Sequence, residues 1–168
     1  TVQNSFFTST RGDHFQLNLI DTASSNLIFT GNTISNAQTA VSGGGGIRLT
    51  GGSAGGNVTA TYNISNNTMR DSNGTAIGVT KGAGSGSFSG TISNNIIGVA
   101  ATVNSGSAAG SGISVVSSEG GSSVTAITNN QIRQYNNFGI IVQAGGLPTV
   151  GTGTLDATVT GNTISNPG

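Results

Sequence analysis

Few residues in this chain could carry chemistry. Asp13, Asp21, Asp71, Glu119 and Asp156 are the acids among 168 residues, His14 is the single histidine, and there is no cysteine. Hydrolysis of a glycoside calls for two carboxylates within about 5–10 Å of each other. A nucleophilic triad calls for a histidine between a nucleophile and an acid, and a bound metal for clustered N, O or S donors. The acids are scattered, and no Ser–acid arrangement accompanies His14. The sequence therefore predicts no catalytic residue, no metal and no cofactor, and the chain is expected not to be an enzyme. Asp71 beside Arg70 reads as a solvated turn pair, and His14 as a polar residue leading into a strand at Phe15.

The composition excludes other classes. Five Lys and Arg balance five Asp and Glu, so the formal net charge is zero. A nucleic-acid partner needs a basic field, so none is expected. No run of about 18 apolar residues exists to insert in a membrane. Gly (29), Ser (22), Thr (23) and Asn (19) make up 93 of 168 residues. Such a bias often means disorder, but here the apolar residues are ordered along the chain.

They follow a repeat. Gly31-Asn32-Thr33-Ile34, Asn66-Asn67-Thr68-Met69, Asn94-Asn95-Ile96-Ile97, Asn129-Asn130-Gln131-Ile132 and Gly161-Asn162-Thr163-Ile164 are copies of one unit, and Gln3-Asn4-Ser5-Phe6 reads as an earlier copy. The second residue of each strong copy is Asn32, Asn67, Asn95, Asn130 or Asn162, with Asn4 as the first member of the series, at a mean period of about 32 residues. Phe29, Ile64, Ile92, Ile127 and Val159 stand three residues before it. Phe6, Ile34, Met69, Ile97, Ile132 and Ile164 stand two residues after it. Period-two apolar spacing on both sides of a bend predicts strand, two-residue turn, strand. Gly or Asn just before the ladder residue suits a positive-φ corner. A second apolar series, Leu17-Asn18-Leu19, Ile47-Arg48-Leu49, Ile77-Gly78-Val79, Ile113-Ser114-Val115 and Ile140-Ile141-Val142, predicts a third strand per repeat. Gly- and Ser-rich segments (42–46, 51–56, 81–89 and 104–112) read as loops between them.

Three short strands per repeat, with apolar columns facing inward, define an all-β parallel β-helix of about five rungs. One rung cannot bury its own apolar face, so the core exists only by stacking. The six asparagines, Asn4 to Asn162, are expected to form a hydrogen-bonded ladder at the two-residue turn, each amide donating to the next.

The Asn/Gly-Asn-x-Ile turn with an apolar residue three positions upstream resembles the asparagine-ladder turn of the right-handed parallel β-helix of the pectin-lyase-like superfamily. The likeness spans nearly the whole chain, residues 1–168, read as a single domain. Its charge-poor, cysteine-free style is similar to bacterial autotransporter and adhesin passengers. The resemblance implies an extracellular or cell-surface location and a structural or adhesive role, with a host-cell surface or glycan as partner. It also implies an alternative: a carbohydrate-active or carbohydrate-binding domain whose acidic site lies outside this segment. In such enzymes the cleft lies over the third strand of each rung. The residues expected to face out there, among them Gln16, Asn18, Arg48, Thr50, Ala76, Gly78 and Thr80, include no acid.

Three further signals remain. Arg11-Gly12-Asp13 resembles the cell-attachment tripeptide of matrix proteins, in an expected turn. The Ser/Thr column Thr30, Ser65, Ser93, Thr128 and Thr160 is expected to face outward, which opens an ice- or surface-binding reading. Four glycosylation-type sequons, at Asn57, Asn63, Asn66 and Asn73, are discounted as products of composition. The chain begins inside a repeat and stops where a strand should continue, so it reads as a segment of a longer solenoid, or as a unit stacking end to end with neighbouring β-helix segments.

Overall fold

A computed structural model describes residues 1–35, 44–52, 56–145 and 151–168. Among these the chain forms seventeen strands and no helix. They lie in three parallel sheets. The first sheet holds β1 (Val2–Gln3), β4 (Ser24–Thr30), β7 (Thr59–Ser65), β10 (Ser87–Ser93), β13 (Ser122–Thr128) and β16 (Thr154–Thr160). The second holds β2 (Phe6–Thr8), β5 (Thr33–Ser35), β8 (Thr68–Met69), β11 (Ile96–Ile97), β14 (Gln131–Arg133) and β17 (Thr163–Ser165). The third holds β3 (Phe15–Leu19), β6 (Ile47–Gly51), β9 (Ile77–Lys81), β12 (Ile113–Ser117) and β15 (Ile140–Ala144). The chain visits the three sheets in turn, so every strand pairs with its counterpart one coil earlier and later. This is the parallel β-helix that the repeat predicts.

Register follows the apolar columns. Phe29, Ile64, Ile92 and Ile127 stack in the first sheet, and Ile34, Met69, Ile97 and Ile132 in the second. The third contributes Ile47, Ile77 and Ile113, with Leu49, Val79 and Val115 two positions on. All are buried. A one-residue slip would turn every one of them to solvent, so burial fixes the register. Phe29 stacks on Phe7 at 5.7 Å between ring centroids and meets Phe15 at 4.9 Å, filling the wide first coil with aromatic area.

Large and small residues alternate where a ring needs room. Tyr62, Gly90 and Thr125 share one inward column. The Tyr62 ring lies across Gly90, where an added Cβ would stand 2.5 Å from ring carbons, and its hydroxyl donates to Thr125 Oγ1 at 2.8 Å, two rungs away.

Four expectations need correction. Asn4 is not a ladder member. Pairing of Phe7 with Ile34 and of Val2 with Phe29 places Ser5, not Asn4, beside Asn32. Asn4 takes the corner instead, with φ of 50°, and Phe6 points outward at 66% exposure while Phe7 turns in. The first copy is thus shifted by one residue from the repeat as written in sequence. In the third sheet Phe15, not Leu17, pairs with Ile47, a shift of two that leaves the inward face unchanged. The 81–89 loop shrinks, because Lys81 ends β9 with its side chain buried and Ser87 begins β10. Ala76 is fully buried rather than exposed to solvent; it lies just before β9 begins, where the strand alternation does not apply. The loops expected at 42–46 and 51–56 fall partly outside the described residues.

Candidate binding groove on the third sheet

The ladder positions everything else. Asn67 shows its chemistry in full. Its Oδ1 accepts from the backbone N–H of Asn32 at 2.9 Å and from Asn32 Nδ2 at 3.0 Å. Its Nδ2 donates to the Phe29 carbonyl at 3.1 Å and to Asn95 Oδ1 at 2.9 Å. Asn95 and Asn130 repeat the pattern up to Asn162. Asn67, Asn95 and Asn130 each therefore use both donor hydrogens and both acceptor sites, and Asn32 at the end of the ladder accepts from the Ser5 N–H, which removes the cost of a polar group in the core. Only an amide can do this: a carboxylate lacks the donors and an apolar chain lacks both. The corner residues before it, Asn4, Gly31, Asn66, Asn94, Asn129 and Gly161, all have φ between 50° and 68°.

A second positive-φ corner leaves the second sheet at Ser9, Asp71, Gln134 and Asn166, with φ between 50° and 60°. Each stands four residues after the ladder position. That spacing was present in the sequence but hidden by the mixed residue types. Asp71 carries the expected turn pair there, its Oδ2 2.7 Å from Arg70 Nε.

On the outer face of the third sheet the first coils open a groove of about 490 Å³. Its floor is the outer face of β3, β6 and β9. Gln16, Arg48 and Gly78 form one outward column, and Asn18, Thr50 and Thr80 the next. Thr50 Oγ1 donates to Asn18 Oδ1 at 2.9 Å. Gly78 lines a smaller cleft beside the groove, where an added Cβ would meet no atom closer than 3.9 Å. The turn before β3 supplies a wall through Asp13, whose Oδ1 accepts from the Gly45 amide at 2.7 Å. A side cleft of about 60 Å³ continues between Asp13, Gly45, Arg48 and Gly78.

The groove thus offers one guanidinium, two amides, two hydroxyls and one carboxylate. A surface of this kind can hydrogen-bond a polyol or hold a carboxylate against Arg48. It lacks the paired carboxylates that glycoside hydrolysis uses. No group of three or more His, Cys, Asp or Glu that could hold a metal occurs among the described residues. Sequence reasoning had the outward residues but missed Asp13, because a turn residue brought in from outside the strands has no periodicity to reveal it.

The other singled-out residues take these places. Arg11 and Gly12 lie exposed in the bend before β3, while Asp13, the third residue of that tripeptide, is half-buried with its carboxylate on the Gly45 amide. Asn66, the acceptor of the third sequon, lies exposed at the corner, while Asn67 beside it is buried in the ladder. On the first sheet the column of Thr30, Ser65, Ser93, Thr128 and Thr160 lies on the outer side, although Ser65 is covered and donates to Thr30 Oγ1 at 3.3 Å. A second unbroken hydroxyl column, Ser24, Thr59, Ser87, Ser122 and Thr154, runs along the other end of the same strands. Asn26, Ile28, Asn63, Val124, Ala126 and Asp156 break the two columns between.

At the far end of the groove Lys81 points inward, two positions beyond Val79, and its ammonium is held by three carbonyls. Nζ donates to Gly82 O at 2.8 Å, Ala83 O at 3.1 Å and Gly84 O at 2.8 Å. Burial holds its pKa below the ordinary lysine value. Burial pushes the Tyr62 phenol upward, against the opposing pull of its bond to Thr125. Comparison of the chain with family models, with curated proteins and with solved structures gave no match.

Proposed function

We propose that this chain is a non-catalytic, structural and adhesive β-helix segment of a secreted or surface-displayed bacterial protein. The continuous, fully satisfied asparagine ladder carries the reading. The polar interior is committed to stiffness along the stack, while the charge-poor outer faces and variable loops are left to presentation. The resemblance of the ladder turn to the pectin-lyase-like superfamily, and of the composition to autotransporter and adhesin passengers, supports the same role. A host-cell surface is the partner on this reading, reached through the loops and the exposed bend at Arg11 and Gly12. Attachment of host cells to the immobilised chain tests it. Attachment above that of a denatured control is the expected result; equal attachment to both counts against adhesion. Asp13→Glu probes the tripeptide and is read together with Arg11→Lys, because Asp13 also accepts from the Gly45 amide; attachment lost in both variants is the outcome an Arg-Gly-Asp mechanism predicts.

A second reading rests on the groove. Its amides, hydroxyls and single guanidinium suit a saccharide, and Gly78 keeps the side cleft beside Arg48 open. Saccharide binding that is lost in Gly78→Val, with the fold intact, is the outcome that favours this reading over a purely structural one.

A further inference from the structure

The geometry points to Lys81 as a tethered cation: its ammonium fills a monovalent-cation site that the backbone of the loop 82–84 builds, and the loop keeps its shape only while a cation is there. Lys81 ends β9 and is fully buried. An ammonium has three N–H donors and no acceptor. Those of Lys81 meet three acceptors, all of them backbone carbonyls: Gly82 O at 2.8 Å, Ala83 O at 3.1 Å and Gly84 O at 2.8 Å. Three successive carbonyls therefore converge on one point.

Dipoles whose negative ends meet repel one another, and a positive charge at the centre turns that repulsion into attraction. Backbone carbonyls that converge in this way can replace the hydration shell of an ion. The ammonium of lysine is a compact point charge, so a free monovalent ion presents the same chemistry to the cradle.

The neighbouring coils close over the loop. In the earlier coil, Gly51 O accepts from the Gly82 N–H at 2.7 Å, and a Cβ added at Gly52 would collide with Ala83 O. In the later coil, a Cβ added at Gly121 would stand 3.1 Å from both Lys81 Cε and Gly84 O. This packing leaves the three carbonyls little room to turn outward to water. Ser117 follows Lys81 in the same column, and its buried Oγ has no partner among the described residues. It is a further oxygen beside the site that an ion without a tether could take. Gly82 also lines the groove, so the cation fixes the end of that groove whichever partner the surface meets.

The test is thermal unfolding of Lys81→Ala, which removes the tether and leaves its space, beside the wild type. Each is melted in ammonium chloride, potassium chloride and choline chloride at equal ionic strength, so that general screening is the same. The Tm of Lys81→Ala should be higher by about 2–4 °C in ammonium or potassium than in choline, the shift expected when a bound ion restores a contribution of hydrogen-bond size in a chain of this length. The wild type, with its site already filled, should show no such difference. Equal responses of the two proteins to the three salts overturn the proposal. Should Lys81→Ala fail to fold, the ¹⁵N ammonium spectrum of the wild type decides alone, since Lys81 is the one lysine in the chain. Side-chain ammonium protons that exchange slowly with water support the site, and exchange as fast as in free lysine overturns it.

Discussion

At the scale of single residues, the ladder makes the sharpest demand. Asn95→Leu would keep the branched shape but leave the Asn67 N–H and Nδ2 donors and the Ile64 carbonyl without these partners, and Asn130 Oδ1 with only the backbone N–H of residue 95. Each unsatisfied buried group costs about 1–3 kcal/mol. The variant should lose at least about 3 kcal/mol, measurable as a lower midpoint in denaturant. Asn4 should behave differently. It is a corner at positive φ, so Asn4→Gly should be neutral within about 0.5 kcal/mol and Asn4→Val destabilising. Were Asn4 a ladder residue, glycine would be costly there too. Two alkaline effects follow from burial, with opposite signs. The Tyr62 phenol has a folded pKa above its ordinary value of 10.0. Its contribution is therefore complete below pH 10 and is lost as the pH climbs through the folded value. Tyr62→Phe removes that alkaline loss. Lys81 has a folded pKa below its ordinary value of 10.5. The wild type should therefore gain stability relative to Lys81→Met as the pH rises from neutrality toward 10.5, read from paired melting curves.

At the scale of elements, the strand faces decide what is exposed. Gly78 lies outward between β6 and β12 with open space where a side chain would stand. Gly78→Val should therefore leave the fold intact, because a β-branched residue suits an outward strand position, while filling the side cleft beside Arg48. Gly90 predicts the opposite result. It lies inward under the Tyr62 ring, and Gly90→Ala should destabilise by roughly 1–3 kcal/mol through overpacking. The same glycine count in the sequence conceals these two roles, and only the register separates them. The strands themselves were legible because apolar alternation and the Asn turn recur five times with little noise. The first coil was not, because Asn4-Ser5-Phe6-Phe7 offers two registers. Val2 was the clue that settled it: counted three residues back from Ser5, it completes the Phe29 and Ile64 column.

At the scale of the whole molecule, each coil depends on its neighbours, since the core is made between rungs and not within one. A buried isoleucine such as Ile92 touches the coils on either side of it in the stack, and Ile92→Ala should cost about 2–5 kcal/mol. The fold was largely readable because a stacking architecture writes its core into repeated columns. The groove was only half readable. Its floor came from periodic positions, Gln16, Asn18, Arg48, Thr50 and Thr80, but its wall came from Asp13 and its end from the carbonyls around Lys81, where no repeat operates. The burial of His14 was likewise invisible, because the carbonyls its ring meets belong to backbone 21 and 31 residues away. The central claim is that this solenoid supports and presents without transforming what it meets. The most direct measurement is release of new chain ends from a panel of neutral and acidic polysaccharides incubated with the purified chain. Release no greater than in buffer is the expected result. New ends formed by the wild type and abolished by Asp13→Ala would contradict it.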